Sequence, residues 1–139
     1  MVIQTANSDE EILKCWDAMR ALRPHLIFEE FTLLIHEMQQ AGAHLIFIEE
    51  NGKAVSAAVY RRQYSLFAGR HIYIDDLITL PEGRGKGYGG ALLDHVIEIA
   101  RAEGLNRVTL DSGHQRFDAH RLYLNKGFQI SSHHFTRML

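Results

Sequence analysis

The chain has 139 residues, of which 46% are hydrophobic and 23% are charged, and its formal net charge is −2. This length and composition predict a single soluble domain spanning residues 1–139. The weak negative charge excludes the overall positive field that gathers nucleic acid or anionic membranes, and no apolar run approaches the roughly 20 residues of a membrane helix. The only cysteine, Cys15, cannot form an internal disulfide. The N-terminus lacks a signal-peptide pattern, so we expect a cytoplasmic protein.

The first forty residues predict one short strand and two helices. Residues 2–6 have the composition of a strand, and Ser8 and Glu11 have the spacing of a capping box that begins a helix. Apolar residues at helical intervals extend this first helix to about Leu22. A second apolar stripe predicts a helix near 28–41.

The middle of the chain predicts an antiparallel arrangement of strands. Two runs of β-type residues, 44–48 and 54–60, lie on either side of Asn51-Gly52, which is the strongest short-range signal for a β-hairpin. A third run, 71–80, is rich in β-branched and aromatic residues. We expect these strands to pair in one sheet.

The C-terminal half predicts alternating helices and strands. A helix is expected over 88–103, a strand over 107–110, a short helix over 118–126 and one or two closing strands over 128–138. The hairpin implies antiparallel pairs, whereas a strand, helix and strand in sequence imply a parallel crossover. The predicted fold class is therefore mixed α/β, with a largely antiparallel central sheet flanked by helices.

Five glycines fall between residues 83 and 90, directly after the third β-type run. A diphosphate needs donors that approach it closely, and backbone N–H groups at the start of a helix supply them. Glycines permit positive φ and lack the Cβ atom that would hold the backbone away. Arg84 and Lys86, interleaved with the glycines, add positive charge. The segment is predicted to bind a diphosphate.

Three other interpretations of this loop compete. A Walker loop requires Gly-Lys-Ser/Thr, but Lys86 is followed by Gly87, so that pattern fails. The dinucleotide fingerprint is satisfied by Gly85, Gly87 and Gly90, with Asp111 about 20 residues further on as a ribose-binding acid. The hairpin upstream argues against it, because a dinucleotide domain requires repeated parallel strand-helix-strand units. The third interpretation is a glycine-rich turn that only joins a strand to a helix.

Two segments resemble the signatures of the GNAT superfamily of N-acetyltransferases. Residues 74–93, IDDLITLPEGRGKGYGGALL, are similar to its coenzyme-binding motif, and Arg84, Gly87 and Gly89 fill the family pattern Arg/Gln-x-x-Gly-x-Gly/Ala. Residues 119–128, AHRLYLNKGF, resemble the second signature, an aromatic residue before a terminal Gly-Phe. The two signatures occur in the order and spacing of the family.

The resemblance covers most of the chain, since the predicted order of elements is also that of the family. It implies the acyl-CoA N-acyltransferase fold, acetyl-CoA as cosubstrate, and direct attack of an amine in a ternary complex. The alternative is a catalytically silent GNAT-like module that binds CoA for regulation. A homodimer through the terminal strands is expected by analogy. The residues that the resemblance assigns to the coenzyme are Leu77, Ile78, Thr79, Arg84, Gly85, Lys86, Gly87, Tyr88, Gly89 and Gly90.

The resemblance also implies how the thioester is activated. Tyr123 matches the family tyrosine near the CoA sulfur, where its hydroxyl donates a proton to the departing thiolate as a general acid. The strand before the loop offers backbone amides to the coenzyme, and an N–H near Ile78 is expected to polarise the thioester carbonyl.

Asp75 and Asp76 lie where several family members carry an acid that takes a proton from the amine. Neighbours in a strand point to opposite faces, so only one of them meets the acceptor unless a bulge intervenes. Asp75 is preferred because alternation places it with Tyr73 and Leu77, opposite the apolar residues Ile72, Ile74 and Ile78. Aspartate has a low ordinary pKa, which favours attraction of a cationic amine over strong base catalysis.

Other polar residues receive weaker assignments. Asp118 stands where many members carry a coenzyme-binding Asn, which leaves that contact open. His114 and His120 lie close in sequence to Tyr123, around the short helix that carries it, and are candidates for the acceptor site, while Glu49 and Glu50 are expected to be solvated rather than to bind substrate. The nine histidines show no metal-ligand spacing, so no metal is expected.

The acceptor itself is open between a metabolite amine, a peptide N-terminus, a lysine and an aminophosphonate. The pattern of residues 116–120 and 131–136 is more specifically similar to aminoalkylphosphonate N-acetyltransferases.

Overall fold

The structure is a computed structural model that describes residues 1–139, in which five strands and five α-helices follow one another along the chain. The strands are β1 (Gln4–Thr5), β2 (Ala43–Glu50), β3 (Lys53–Ser65), β4 (Gly69–Thr79) and β5 (Val108–Leu110). The helices are α1 (Asp9–Lys14), α2 (Trp16–Leu22), α3 (Phe28–Gln40), α4 (Tyr88–Ala102) and α5 (Phe117–Asn125), and a 3-10 turn covers Pro81–Gly83.

The chain divides into two units, residues 1–109 and residues 110–139. The first contains α1 to α4 and the sheet up to Thr109 of β5, and the second contains Leu110, α5 and the C-terminal tail. None of the helices is both long and apolar enough to cross a membrane.

The sheet has the strand order β1-β2-β3-β4-β5. The first four strands pair antiparallel with their neighbours. Asn51 and Gly52 have φ values of 51° and 82°, the positive values that a tight two-residue hairpin requires. This confirms the predicted hairpin. Helix α4 connects the neighbouring strands β4 and β5, as in a parallel crossover, so the sheet is mixed.

Two apolar layers cover the sheet. On one face, α1, α2 and α3 bury a cluster that includes Ile12 and Phe31 against Phe47 and Val59. On the other face, α4 packs on β2, β3 and β4, and its Leu92, Leu93 and Val96 are fully buried. Because both faces of the sheet are buried, β4 is held firmly within it, and so is the start of the loop that follows β4.

Strand β4 contains a bulge. Asp76 lies opposite Val59 and Ile74 lies opposite Tyr60, so Asp75 is an extra residue without a partner in β3. Because the bulge adds a residue, strict alternation along β4 stops there. The prediction that Ile78 shares a face with Ile72 and Ile74 is wrong: Ile78 packs against the α1 to α3 cluster.

Two further expectations are corrected. The predicted first helix is broken at Cys15 into α1 and α2, although Ser8 and Glu11 do form the predicted capping box. The predicted closing strands are absent, because residues 128–139 lie in neither helix nor strand. Alternating apolar residues form a strand only beside a partner that completes the backbone hydrogen bonds, and the large side chains of Ile130 and Phe135 remain exposed.

Candidate active site

The chain passes from β4 to α4 through a tightly fitted turn. Leu80 N–H donates to Val55 O over 2.8 Å, and the 3-10 turn follows. A Cβ atom at Gly83 would approach Val55 Cβ and Thr79 Cγ2 to 3.2 Å. Glycine at this position therefore lets the loop lie directly against β3, which fixes where α4 begins.

The loop then turns through two left-handed glycines. Gly85 has φ of 77° and Gly87, the N-cap of α4, has φ of 80°. A Cβ atom at either position would meet no atom within 4 Å, so this side of the loop faces open space. The first backbone hydrogen bond of α4 runs from Ala91 N–H to Gly87 O over 3.0 Å. The N–H groups of residues 88–90 precede that bond and form the open end of the helix. A loop with this backbone suits an anion.

Charged side chains flank the loop. Arg84 Nε donates to Thr79 O over 3.4 Å. Lys86 Nζ donates to Glu50 Oε1 and Oε2 over 3.0 and 3.1 Å, and the Tyr88 hydroxyl donates to Glu50 Oε1. The hydrogen bond from Tyr88, and then that from Lys86, lowers the pKa of Glu50. The expectation that Glu50 is merely solvated is therefore wrong.

The C-terminal end of β4 extends past its neighbour. Strand β5 begins beside Ile72, whose N–H donates to Arg107 O over 3.2 Å, and it is three residues long. Because parallel strands advance residue by residue, β5 ends near the level of the bulge, and residues 77–79 lie beyond it. On the β3 side, Ser56 Oγ donates to Ile78 O over 3.1 Å. Because β5 has already ended, the backbone of residues 77–79 has no neighbouring strand on its other side.

Two ion pairs meet at the bulge. Arg61 Nε and Nη2 donate to the two carboxylate oxygens of Asp75, both over 2.8 Å. Arg23, at the end of α2, donates from Nε to Asp76 Oδ1 over 2.8 Å and from Nη2 to Asp75 O over 3.2 Å. Sequence reasoning missed both arginines, because they lie in segments without a motif.

The two aspartates differ in environment. Burial raises the pKa of Asp76, and the ion pair with Arg23 opposes that shift. The side chain of Asp76 is 14% exposed and that of Asp75 is 21% exposed. The bulge removes the strict alternation that favours Asp75, but it also leaves Asp75 without a residue opposite it in the backbone ladder with β3, so that only its side chain is bound from β3, by Arg61.

In the second unit, Tyr123 lies on α5, and Gly127 ends that helix with φ of 87°. Phe128 N–H donates to Tyr123 O over 3.0 Å, and the two rings meet edge to face with centroids 6.0 Å apart. Burial raises the pKa of Tyr123 above 10.0, while the charge of Arg116 opposes the shift. The hydroxyl is therefore protonated at neutral pH and able to donate.

The other predicted polar residues have simpler surroundings. His120 Nε2 lies 2.8 Å from Gly113 O, which orients its ring, and His114 is exposed. Asp118 lies in the first turn of α5. Glu49 is paired with Lys14 over 2.9 Å rather than solvated. No three His, Cys, Asp or Glu side chains are grouped so that they could hold a metal ion.

Comparison with known proteins agrees with this geometry. The sequence model of the Acetyltransferase (GNAT) family matches residues 10–128, which include the loop, the bulge and α5. The chain belongs to the GNAT family. It is accordingly an acyltransferase, and its sheet and helices are those of this family.

Relatives with curated names agree. This GNAT protein is 38% identical over 134 residues to the uncharacterized N-acetyltransferase YhdJ of Bacillus subtilis (strain 168), covering 94% of this chain and 93% of YhdJ. It is 36% identical over 99 residues to the aminoalkylphosphonate N-acetyltransferase of Salmonella typhimurium (strain LT2), covering 70% and 64% of the two chains.

Solved structures share the fold. A Trypanosoma brucei acetyltransferase superposes with a TM-score of 0.79 at 20% identity, covering 99% of each chain. AAC(6')-Iy, solved with a bisubstrate analogue, CoA-S-monomethyl-acetylneamine, superposes with a TM-score of 0.83 at 14% identity, covering 99% of this chain and 97% of that chain.

Proposed function

We propose that this protein transfers the acetyl group of acetyl-CoA to an amine of a small molecule or peptide, by direct attack in a ternary complex. One observation carries the proposal: two left-handed glycines, Gly85 and Gly87, turn the loop so that it opens α4 with N–H groups that precede its first hydrogen bond. A helix start built in this way favours the negative charge of a diphosphate.

Different coenzyme-binding residues bind different parts of acetyl-CoA. The N–H groups of residues 85–90 bind the diphosphate, and Arg84 and Lys86 contribute charge. The arm that carries the acetyl group follows residues 77–79, where β4 extends beyond β5. There a backbone N–H near Ile78 polarises the thioester carbonyl, as donors in an oxyanion hole do. Leu77 and Thr79 carry the candidates, because Ile78 O and Leu80 N–H both face β3.

The acceptor amine meets the bulge. The carboxylate of Asp75 is oriented by its two hydrogen bonds with Arg61, so that it meets an ammonium group in a fixed position and receives or relays its proton. The neutral amine then attacks the carbonyl carbon, and as the C–N bond forms and the C–S bond breaks, the nitrogen releases its second proton to solvent. The Tyr123 hydroxyl gives its proton to the thiolate, and solvent restores that proton.

An acceptor that carries an anionic group beside its amine suits the bulge, because Arg23 and Arg61 stand next to the two aspartates. The relative named for aminoalkylphosphonates supports this narrower acceptor class.

We also propose that residues 1–139 act as one catalytic domain, that the protein is cytoplasmic and that it forms a homodimer, which sedimentation velocity would test. That homodimer would use an interface other than the terminal strands that the sequence predicted, because residues 128–139 form no strand.

Calorimetry with acetyl-CoA, followed by a thiol-release assay over a panel of amines, tests the proposal. We expect coenzyme binding and turnover on at least one amine, with greater kcat/KM on aminophosphonates than on neutral amines of matched size. Binding without turnover on any amine would indicate the silent regulatory module. Binding of NAD in place of CoA would restore the dinucleotide interpretation of the loop.

A further inference from the structure

Glu50 makes three hydrogen bonds to the coenzyme loop although it belongs to a different element. It is the last residue of β2, and its carboxylate accepts two hydrogen bonds from Lys86 Nζ and one from the Tyr88 hydroxyl. Lys86 and Tyr88 lie on either side of Gly87, the N-cap of α4. One carboxylate therefore holds both side chains that flank the opening of the helix.

We propose that Glu50 is a positioning residue that stands in for the coenzyme diphosphate in the free protein and competes with it for Lys86 and Tyr88. This inference rests on the proposed function, because it assumes that acetyl-CoA binds at residues 84–90. It adds a residue outside the family motif to the machinery that sets coenzyme affinity.

Charge at the loop supports the competition. Arg84 and Lys86 contribute two positive charges, and Glu50 cancels one of them. Glu82, the nearby acid on the 3-10 turn, is neutralised by Lys53 at 2.8 Å. A diphosphate must therefore enter a loop with a net charge of about +1 rather than +2, and it must draw Lys86 away from an existing partner. Both effects weaken coenzyme binding.

The same contacts favour release of the product CoA. When CoA leaves, Lys86 and Tyr88 bind Glu50 again, and these hydrogen bonds stabilise the loop without its ligand. Removing the negative charge of Glu50 should strengthen binding of both acetyl-CoA and CoA. We expect Glu50→Gln to lower KM for acetyl-CoA without raising kcat, a separation that a loss of structural support would not produce.

The test compares wild type, Glu50→Gln and Glu49→Gln by calorimetry with CoA and with dephospho-CoA, which lacks the 3′-phosphate. Glu49→Gln is the matched control, because Glu49 is the adjacent residue of β2 and pairs with Lys14 instead. Glu50→Gln should bind both ligands at least about threefold more tightly than wild type, with a steeper dependence of Kd on salt. Glu49→Gln should match wild type. In a Lys86→Met background, the gain from Glu50→Gln should shrink.

Equal or weaker binding by Glu50→Gln, with an unchanged melting temperature, would overturn the inference. A gain limited to CoA would overturn it as well, because it would place Lys86 at the 3′-phosphate. Should Glu50→Gln unfold, Glu50→Asp, which keeps the charge but shortens its reach, must still show a lower KM. A wild-type protein that binds neither ligand would contradict the proposed function itself.

Discussion

Arg61 binds the carboxylate of Asp75 through two parallel hydrogen bonds of 2.8 Å at the residue where β4 bulges away from β3. The bulge takes Asp75 out of the regular pairing of the two strands, and the guanidinium fixes the orientation of its carboxylate. A carboxylate held in this way, next to the end of β4 that extends beyond β5, has a fixed position from which to receive an ammonium group.

Replacing Asp75 by Asn should lower kcat/KM for the amine by about 100-fold, since the amide keeps the size but neither attracts an ammonium group nor accepts its proton. KM for acetyl-CoA should not change. Steady-state kinetics with each substrate varied would measure both effects. Asp17→Asn is the control, because Asp17 is an exposed residue of α2 that lies 3.6 Å from Lys53. Wild-type kinetics in Asp75→Asn would remove this carboxylate from the mechanism and assign the proton to Asp76 or to water.

Replacing Tyr123 by Phe should lower kcat by about 100-fold, because it removes the proton donor while keeping the ring against Phe128. Burial raises the pKa of Tyr123 above 10.0. A phenol with a raised pKa keeps its proton to higher pH than an ordinary tyrosine, so wild-type kcat should show no loss from this group across the neutral range. The exposed Tyr64 supplies the control variant Tyr64→Phe. A Tyr123→Phe enzyme as fast as wild type would remove the general acid from the mechanism.

Alanine variants of two glycines can distinguish an effect on backbone strain from an effect on coenzyme binding. Gly87 and Gly104 lie near the two ends of α4, with φ of 80° and 69°, and neither would bring a Cβ atom within 4 Å of another group. Alanine at either position should therefore destabilise the fold by about 1 kcal/mol, measured by urea denaturation. Only Gly87→Ala should also weaken acetyl-CoA binding. Equal affinities for the two variants would show that the shape of the loop does not matter for the coenzyme.

Replacing Arg84 by Ala should weaken acetyl-CoA binding at least about tenfold, as expected when a charge-assisted contact to a phosphate is lost. Arg101→Ala removes an exposed arginine from the far end of α4 and should leave the affinity unchanged. Calorimetry on both variants gives the comparison. Unchanged affinity in Arg84→Ala would contradict the role of this side chain.

The elements whose residues repeat at helical or strand intervals could be predicted from the sequence to within a few residues. Helix α4 was expected over 88–103 and occupies Tyr88–Ala102, and the hairpin turn at Asn51-Gly52 has the expected backbone. The loop could also be predicted, because glycines interleaved with cations are compatible with few structures other than a turn that opens a helix. These features depend on local backbone preferences, which a sequence displays directly.

The bulge at Asp75 and its partners could not be predicted, because they depend on contacts between distant residues. Arg23 is 53 residues from Asp76 along the chain, and Glu50 is 36 residues from Lys86. The break between α1 and α2 at Cys15 and the absence of strands in residues 128–139 likewise depend on what each of these segments packs against. A pattern of apolar residues predicts which side of a segment is buried, but not which partner buries it.

A crystal structure with CoA tests the central claim most directly. The account predicts diphosphate oxygens within hydrogen-bonding distance of backbone N–H groups in residues 85–90, at the point where β4 gives way to α4. A structure that shows the CoA phosphates bound elsewhere, or this loop disordered while the coenzyme is held, would contradict it.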